Sequence, residues 1–93
     1  MNWDEFIERY VNNFEEFRFK YKNFIIDLLY SDGGTKFAYY ISKYVENESL
    51  LQSIRNRKEY LDTKKFGSPE ELISQFLFDG KDFKTIWHEL EWK

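Results

Sequence analysis

Within the first 22 residues the apolar side chains change from a helical period to a strand period, and few small folds accommodate both so close together. Trp3, Phe6, Ile7, Tyr10, Val11 and Phe14 recur at i, i+3, i+4, i+7, i+8 and i+11, one continuous helical stripe. Asn2 is placed as an N-cap, Glu5 as its capping-box partner, and Asp4 adds negative charge at the positive end of the dipole. The spacing predicts a helix over residues 3–13. Then Phe17, Phe19 and Tyr21 alternate with Arg18, Lys20 and Lys22, which is the pattern of a half-buried strand.

The strand signal continues. After a short turn at Lys22-Asn23, residues 24–30 form a run apolar on both faces and broken only by Asp27. Ser31-Asp32-Gly33-Gly34 reads as a hairpin, because glycine supplies the positive φ such turns need. Residues 35–42, with Phe37, Tyr39 and Ile41 alternating, return as a third strand. An antiparallel meander is the economical answer, its most apolar strand at the centre. Residues 44–66 are less regular. A short helix over 47–56 is expected there, with Tyr60-Leu61-Asp62-Thr63 the alternative site of a fourth, edge strand whose lysines discourage pairing with other chains.

Ser68-Pro69-Glu70-Glu71 places a capping Ser before Pro at the first helical position. Leu72, Ile73, Phe76 and Leu77 supply its apolar face, and Asp79-Gly80 is expected to end the helix. A last helix over 82–91 carries Phe83, Ile86, Trp87 and Leu90. The fold class is therefore α+β: an N-terminal helix, a three-stranded antiparallel meander, then two or three helices packed on one sheet face. Ninety-three residues make one domain, 1–93. Ten Phe, seven Tyr and three Trp allow so small a domain to fold without staples. Trp3, Phe6, Tyr10, Ile86 and Trp87 are expected to be largely buried in one core.

Chemistry-bearing motifs are scarce. With no cysteine there is no disulfide, thiolate metal site or cysteine nucleophile. His88 is the single histidine, and beside the apolar stripe of the last helix it reads as a structural or surface residue. The carboxylate groups Asp4/Glu5/Glu8, Glu15/Glu16 and Glu70/Glu71 have a helix-dipole or solvation explanation. Asp79-Gly80-Lys81-Asp82 lacks the glycines of a phosphate loop and the spaced ligands of a calcium loop. No catalytic, cofactor-binding or metal-ligating residue is assigned, and the chain is read as a non-enzyme. Asp27 is expected on the solvent side of the sheet; buried, it would need a partner, with Lys20 or Lys36 as candidates.

Charge is segregated along the chain. Residues 1–16 hold five acids and one Arg, whereas Arg18, Lys20 and Lys22 follow as a basic strand, and residues 55–67 hold five bases against two acids. The net charge of −3 has the wrong sign for a general nucleic-acid binder. The pleat places Phe17, Phe19, Tyr21, Ile26, Leu28, Phe37, Tyr39 and Ile41 under the helices. The opposite face then carries Arg18, Lys20, Lys22, Tyr40, Ile25 and Leu29. The candidate partner-binding residues are Arg18, Lys20, Lys22 and Tyr40, joined by Arg55, Arg57 and Lys58. The nearby carboxylates Asp27, Glu15 and Glu16 are the internal groups able to offset this charge.

The segments Phe66-Gly67-Ser68-Pro69-Glu70-Glu71-Leu72-Ile73 and Phe78-Asp79-Gly80-Lys81-Asp82-Phe83-Lys84-Thr85-Ile86-Trp87 resemble the C-terminal pattern of small, mostly uncharacterised proteins of low-GC Gram-positive bacteria and their phages. The hairpin followed by Glu46-Asn47-Glu48-Ser49 is similar in style to small phage-encoded anti-CRISPR inhibitors. The first motif consists largely of caps and core residues, so it implies shared architecture. The expected function is a non-enzymatic protein-interaction module: a phage or mobile-element accessory protein that inhibits a host factor such as a defence nuclease. The alternatives are a nucleic-acid-binding module using the basic strand and, after it, a small hydrolase built on His88. No apolar run approaches the roughly 18 residues of a membrane span, and the acidic start is unlike a signal peptide. The expected setting is cytoplasmic, with a protein partner, no cofactor and no membrane; nothing in the sequence sets the oligomeric state.

Overall fold

In the computed structural model, which describes residues 1–44 and 60–92, a five-stranded antiparallel sheet carries three short helices on one face. The elements are α1 (Trp3–Ile7, continued as a π-helical turn over Glu8–Asn12), β1 (Phe17–Tyr21), β2 (Phe24–Ser31) and β3 (Lys36–Lys43). They are followed by β4 (Asp62–Phe66), α2 (Pro69–Gln75), α3 (Phe83–Ile86, tightening to 3₁₀ over Trp87–Glu89) and β5 (Glu91–Trp92). The strand order is β4-β3-β2-β1-β5, so the meander lies within the sheet and the most apolar strand, β2, is central. The expected helix over 47–56 lies outside the described residues. The alternative edge strand expected at Tyr60-Leu61-Asp62-Thr63 forms two residues later, at Asp62–Phe66.

The starts of the helices follow their caps. The Asn2 side chain accepts from the Glu5 N–H at 2.7 Å, the Ser68 hydroxyl from Glu71 at 3.1 Å and the Asp82 carboxylate from Thr85 at 2.8 Å. Each satisfies an amide with no intrahelical acceptor. The ends depart from the period. The π turn under Glu8–Asn12 shifts the stripe, and the chain leaves it with Phe14 at φ +56°, 53 % exposed rather than in the core. α2 stops at Gln75 because Phe76 turns extended (ψ 130°) and drops into the core against Tyr39 and Phe83. Asp79-Gly80 therefore ends no helix. Both residues have positive φ, and Phe78 and Lys81 exchange two backbone bonds of 3.0 Å around them, the geometry of a two-residue hairpin turn. The expected last helix is likewise cut short: Leu90 is extended, and Glu91–Trp92 pair with β1.

Phe6, Tyr10, Leu72, Phe76, Phe83 and Ile86 pack on Phe17, Phe19, Tyr21, Ile26, Leu28, Phe37, Tyr39 and Ile41, all buried. These eight sheet residues are those the pleat places under the helices. Trp3 and Trp87 are half-buried and meet edge to face at 5.4 Å, so they flank the core rather than fill it.

Candidate functional site

The register builds the second sheet face in rows. Arg18, Asp27, Tyr40 and Thr63 lie opposite one another across β1, β2, β3 and β4, and Lys20, Ile25 and Ser42 form the next row. Arg18, Lys20 and Tyr40 thus come together on one face, as the alternation implies. Lys22 does not join them. β1 ends at Tyr21, and Lys22 sits in the turn at φ +52° with its ammonium 5.2 Å from the Tyr21 ring, a core residue. Glu89 and Asp79 are its charged neighbours. Arg55, Arg57 and Lys58 lie outside the described residues.

This face is not an open one. Ile25, Asp27, Ala38 and Ser42 are at most 5 % exposed, while Arg18, Lys20 and Tyr40 are half-buried along it. Asp27 is correspondingly not the solvent-facing residue expected. Its carboxylate is 3.5 Å from Nε of Arg18, directly across the β1–β2 ladder; neither Lys20 nor Lys36 takes that place. Lys20 lies 4.4 Å from the Tyr44 ring centroid and 4.0 Å from the exposed Glu91 carboxylate. The ring contact is the more useful of the two, since an exposed ion pair at that distance contributes little. The Tyr40 and Tyr60 rings meet at 4.5 Å. Neither neighbouring glutamate serves the basic strand: Glu15 binds the Arg9 guanidinium through two bonds of 2.9 Å, and Glu16 accepts from the Tyr30 N–H at 3.0 Å.

Sequence reasoning passed over Arg9. Its guanidinium lies 5.4 Å from the Phe17 ring and 5.1 Å from that of Trp92, stapling the end of α1 to β1 and β5. A basic residue between two apolar stripe positions was the available signal. His88 is exposed in the 3₁₀ turn and borders a shallow pocket of about 290 Å³ with Met1, Phe19, Trp87, Leu90 and Trp92. That lining holds no second titrating side chain to pair with an imidazole. Among the described residues no three of His, Asp and Glu converge to hold a metal ion, and no helix is long and apolar enough to cross a membrane.

The titrating groups define a pH window. The Arg9 hydrogen bond holds Glu15 below the usual carboxylate range, Lys65 does so for Asp32, and the Thr85 side-chain and backbone bonds do so for Asp82. Depressed folded values mean that their contribution is complete above the unfolded values of about 4 and is lost as pH falls through the folded ones. Three tyrosines move the other way: burial raises the phenols of Tyr10 and Tyr30, and burial, then Asp62, pushes that of Tyr39 up from 10.0 to about 12. A raised value on an acid that is neutral when protonated contributes fully below the unfolded value and is lost as pH rises through the folded one. Denaturant midpoints should be level from roughly pH 5 to 9 and fall on both sides. A midpoint that rises between pH 9 and about 12 would remove the Tyr39 argument.

Compared with protein-family models, curated proteins and solved structures, the chain matches none.

Proposed function

We propose that the chain is a small non-enzymatic interaction module whose contact surface is formed by the partly exposed Arg18, Lys20 and Tyr40 side chains of the otherwise covered second sheet face, and whose partner is an acidic protein surface. The observation that carries the reading is the way these cations are held. Arg18 is fixed by a buried carboxylate and Lys20 by an aromatic face, so the side chains are ordered before a partner arrives, which lowers the entropy lost on binding. Complementary charge gives such a surface orientation and association rate more than raw affinity. The finer reading, an accessory protein of a phage or mobile element that inhibits a host factor in the cytoplasm, rests on the resemblance of the C-terminal segment to small phage and bacterial proteins and on the inhibitor-like style of the hairpin followed by Glu46-Asn47-Glu48-Ser49.

The test compares wild type with Lys20→Glu and Tyr40→Ala, each confirmed as folded by circular dichroism. Immobilised protein is exposed to lysate of the native cell, and in parallel to a labelled single-stranded oligonucleotide at graded salt. The expected result is a protein retained by wild type and lost with Lys20→Glu, with no oligonucleotide bound. Undiminished retention by both folded variants would reject this surface. Oligonucleotide binding with a steep salt dependence would replace the acidic protein by nucleic acid.

A further inference from the structure

Among the described residues β4 is the outer strand on its side of the sheet, and its residues Asp62, Thr63, Lys64 and Lys65 are all exposed. The ladder pattern shows where its backbone groups point. The Tyr44 N–H donates to the Asn23 carbonyl at 2.8 Å, which makes Phe24↔Lys43 a wide pair, one whose own amides do not bond each other. Narrow and wide pairs alternate along an antiparallel ladder, and each residue of a central strand bonds to one side only. Ser42, Tyr40 and Ala38 therefore bond toward β2, and Ile41, Tyr39 and Phe37 toward β4. Their partners Asp62, Lys64 and Phe66 face inward along the ladder. The N–H and C=O of Thr63 and Lys65 are left pointing off the edge.

We propose that β4 is a self-pairing edge: two copies of the chain join antiparallel about Thr63, extending the sheet across a twofold axis. A twofold axis normal to the sheet keeps facing residues on the same face, so only registers centred on a residue are allowed. Centred on Lys64, the pairing would set Lys64 against its own copy, a destabilising like-charge pair. Centred on Thr63, it sets Thr63 against Thr63 with two backbone hydrogen bonds. On either side Asp62 then faces Lys64 of the other copy. These flanking pairs are wide ones, where side chains come closest. Both residues lie on the helix-bearing face, opposite Ile41 and Tyr39, and Lys64 makes no ion pair among the described residues. The lysines usually read as blocking an edge here select one register instead.

The pairing segment is short. It ends at Leu61, whose N–H is already given to Ile41 at 2.8 Å. Two such strands bury well under the ~1,200 Å² of a stable interface, so the dimer is a concentration-dependent equilibrium half-complete between about 10 µM and 1 mM.

Sedimentation velocity on the full chain over that range tests it. Wild type should show a monomer–dimer equilibrium. Thr63→Pro removes the outward N–H and spares the β3–β4 bonds, and should weaken association by about tenfold or more while the monomer stays folded by circular dichroism. Asp62→Lys and Lys64→Asp should each be monomeric alone, and an equimolar mixture should associate, because every flanking pair then matches again. A wild type monomeric up to about 1 mM would overturn the proposal. So would association indifferent to Thr63→Pro, or a charge-variant mixture that stays monomeric.

Discussion

Phe6→Ala should cost about 3–5 kcal/mol, a loss large enough to leave a domain of ordinary stability only partly folded. Phe6 is fully buried. Its ring lies 5.1 Å from Phe17, 5.7 Å from Phe19, 5.4 Å from Phe83 and 4.8 Å from Trp87. It is therefore the point at which α1, β1 and α3 meet. Truncation removes the transfer energy of the ring and leaves a cavity whose walls are themselves large rings, which collapse poorly. The expected readout is a strongly lowered urea midpoint with loss of the near-ultraviolet circular dichroism of the tryptophans. Phe14→Gly is the matched control from the same sequence stripe. Phe14 is half-exposed in a left-handed conformation that glycine adopts freely, and its ring touches Phe37 and Tyr30 only from outside the core, at 5.9 and 6.4 Å, so that change should cost far less than Phe6→Ala. Equal costs at the two positions would mean that the helical stripe continues through Phe14.

The contrast between Phe6 and Phe14 also marks how far the sequence is legible. Caps are local chemistry, and Asn2 and Ser68 start their helices at the expected residues. Strand alternation is local too, and it sorted Phe17, Phe19 and Tyr21 from Arg18 and Lys20 correctly. The helix ends were not legible. Leu72, Phe76, Phe83 and Ile86 keep helical spacing, but Phe76 reaches the core by leaving the helix, and the Asp79-Gly80 pair serves equally as a helix stop or a hairpin turn. Tertiary packing decided between them. β5 was hidden because two residues at the end of an apolar helical stripe carry no period of their own, and only the open edge of β1 makes them a strand. At the candidate site, the gathering of Arg18, Lys20 and Tyr40 was legible from the pleat. The burial of Asp27 was not, since register places a partner only after the strands have been paired. Lys22 was misplaced for a related reason, because alternation runs on through a turn that the backbone does not.

Arg18→Glu should be the costliest of the charge reversals on the basic strand, at about 3–5 kcal/mol. The Asp27 side chain is 8 % exposed, and Arg18 faces it across a wide pair of the β1–β2 ladder, where Cα atoms approach to about 4.5 Å. Reversal removes a favourable contact and also places a second carboxylate beside a desolvated first one. The desolvation of Asp27 is then no longer offset by Arg18. Lys20→Glu and Lys22→Glu act on an exposed ion pair and on a turn side chain, so each should stay within about 1 kcal/mol. Two features separate this prediction from a general loss of positive charge. The double variant Arg18→Glu/Asp27→Asn, which removes the second carboxylate without changing the size of the side chain, should recover part of the lost stability. The deficit of Arg18→Glu should also shrink as pH falls toward 5, because two facing carboxylates raise each other's pKa and one of them takes up a proton. Three reversals of equal, small effect would show that Arg18 and Asp27 form an ordinary solvated pair. If the costs divide as expected, reversing Arg18, Lys20 and Lys22 together would abolish partner binding by unfolding the sheet. The contact surface then has to be mapped from Lys20 and Tyr40, with Arg18 left in place to hold the strand.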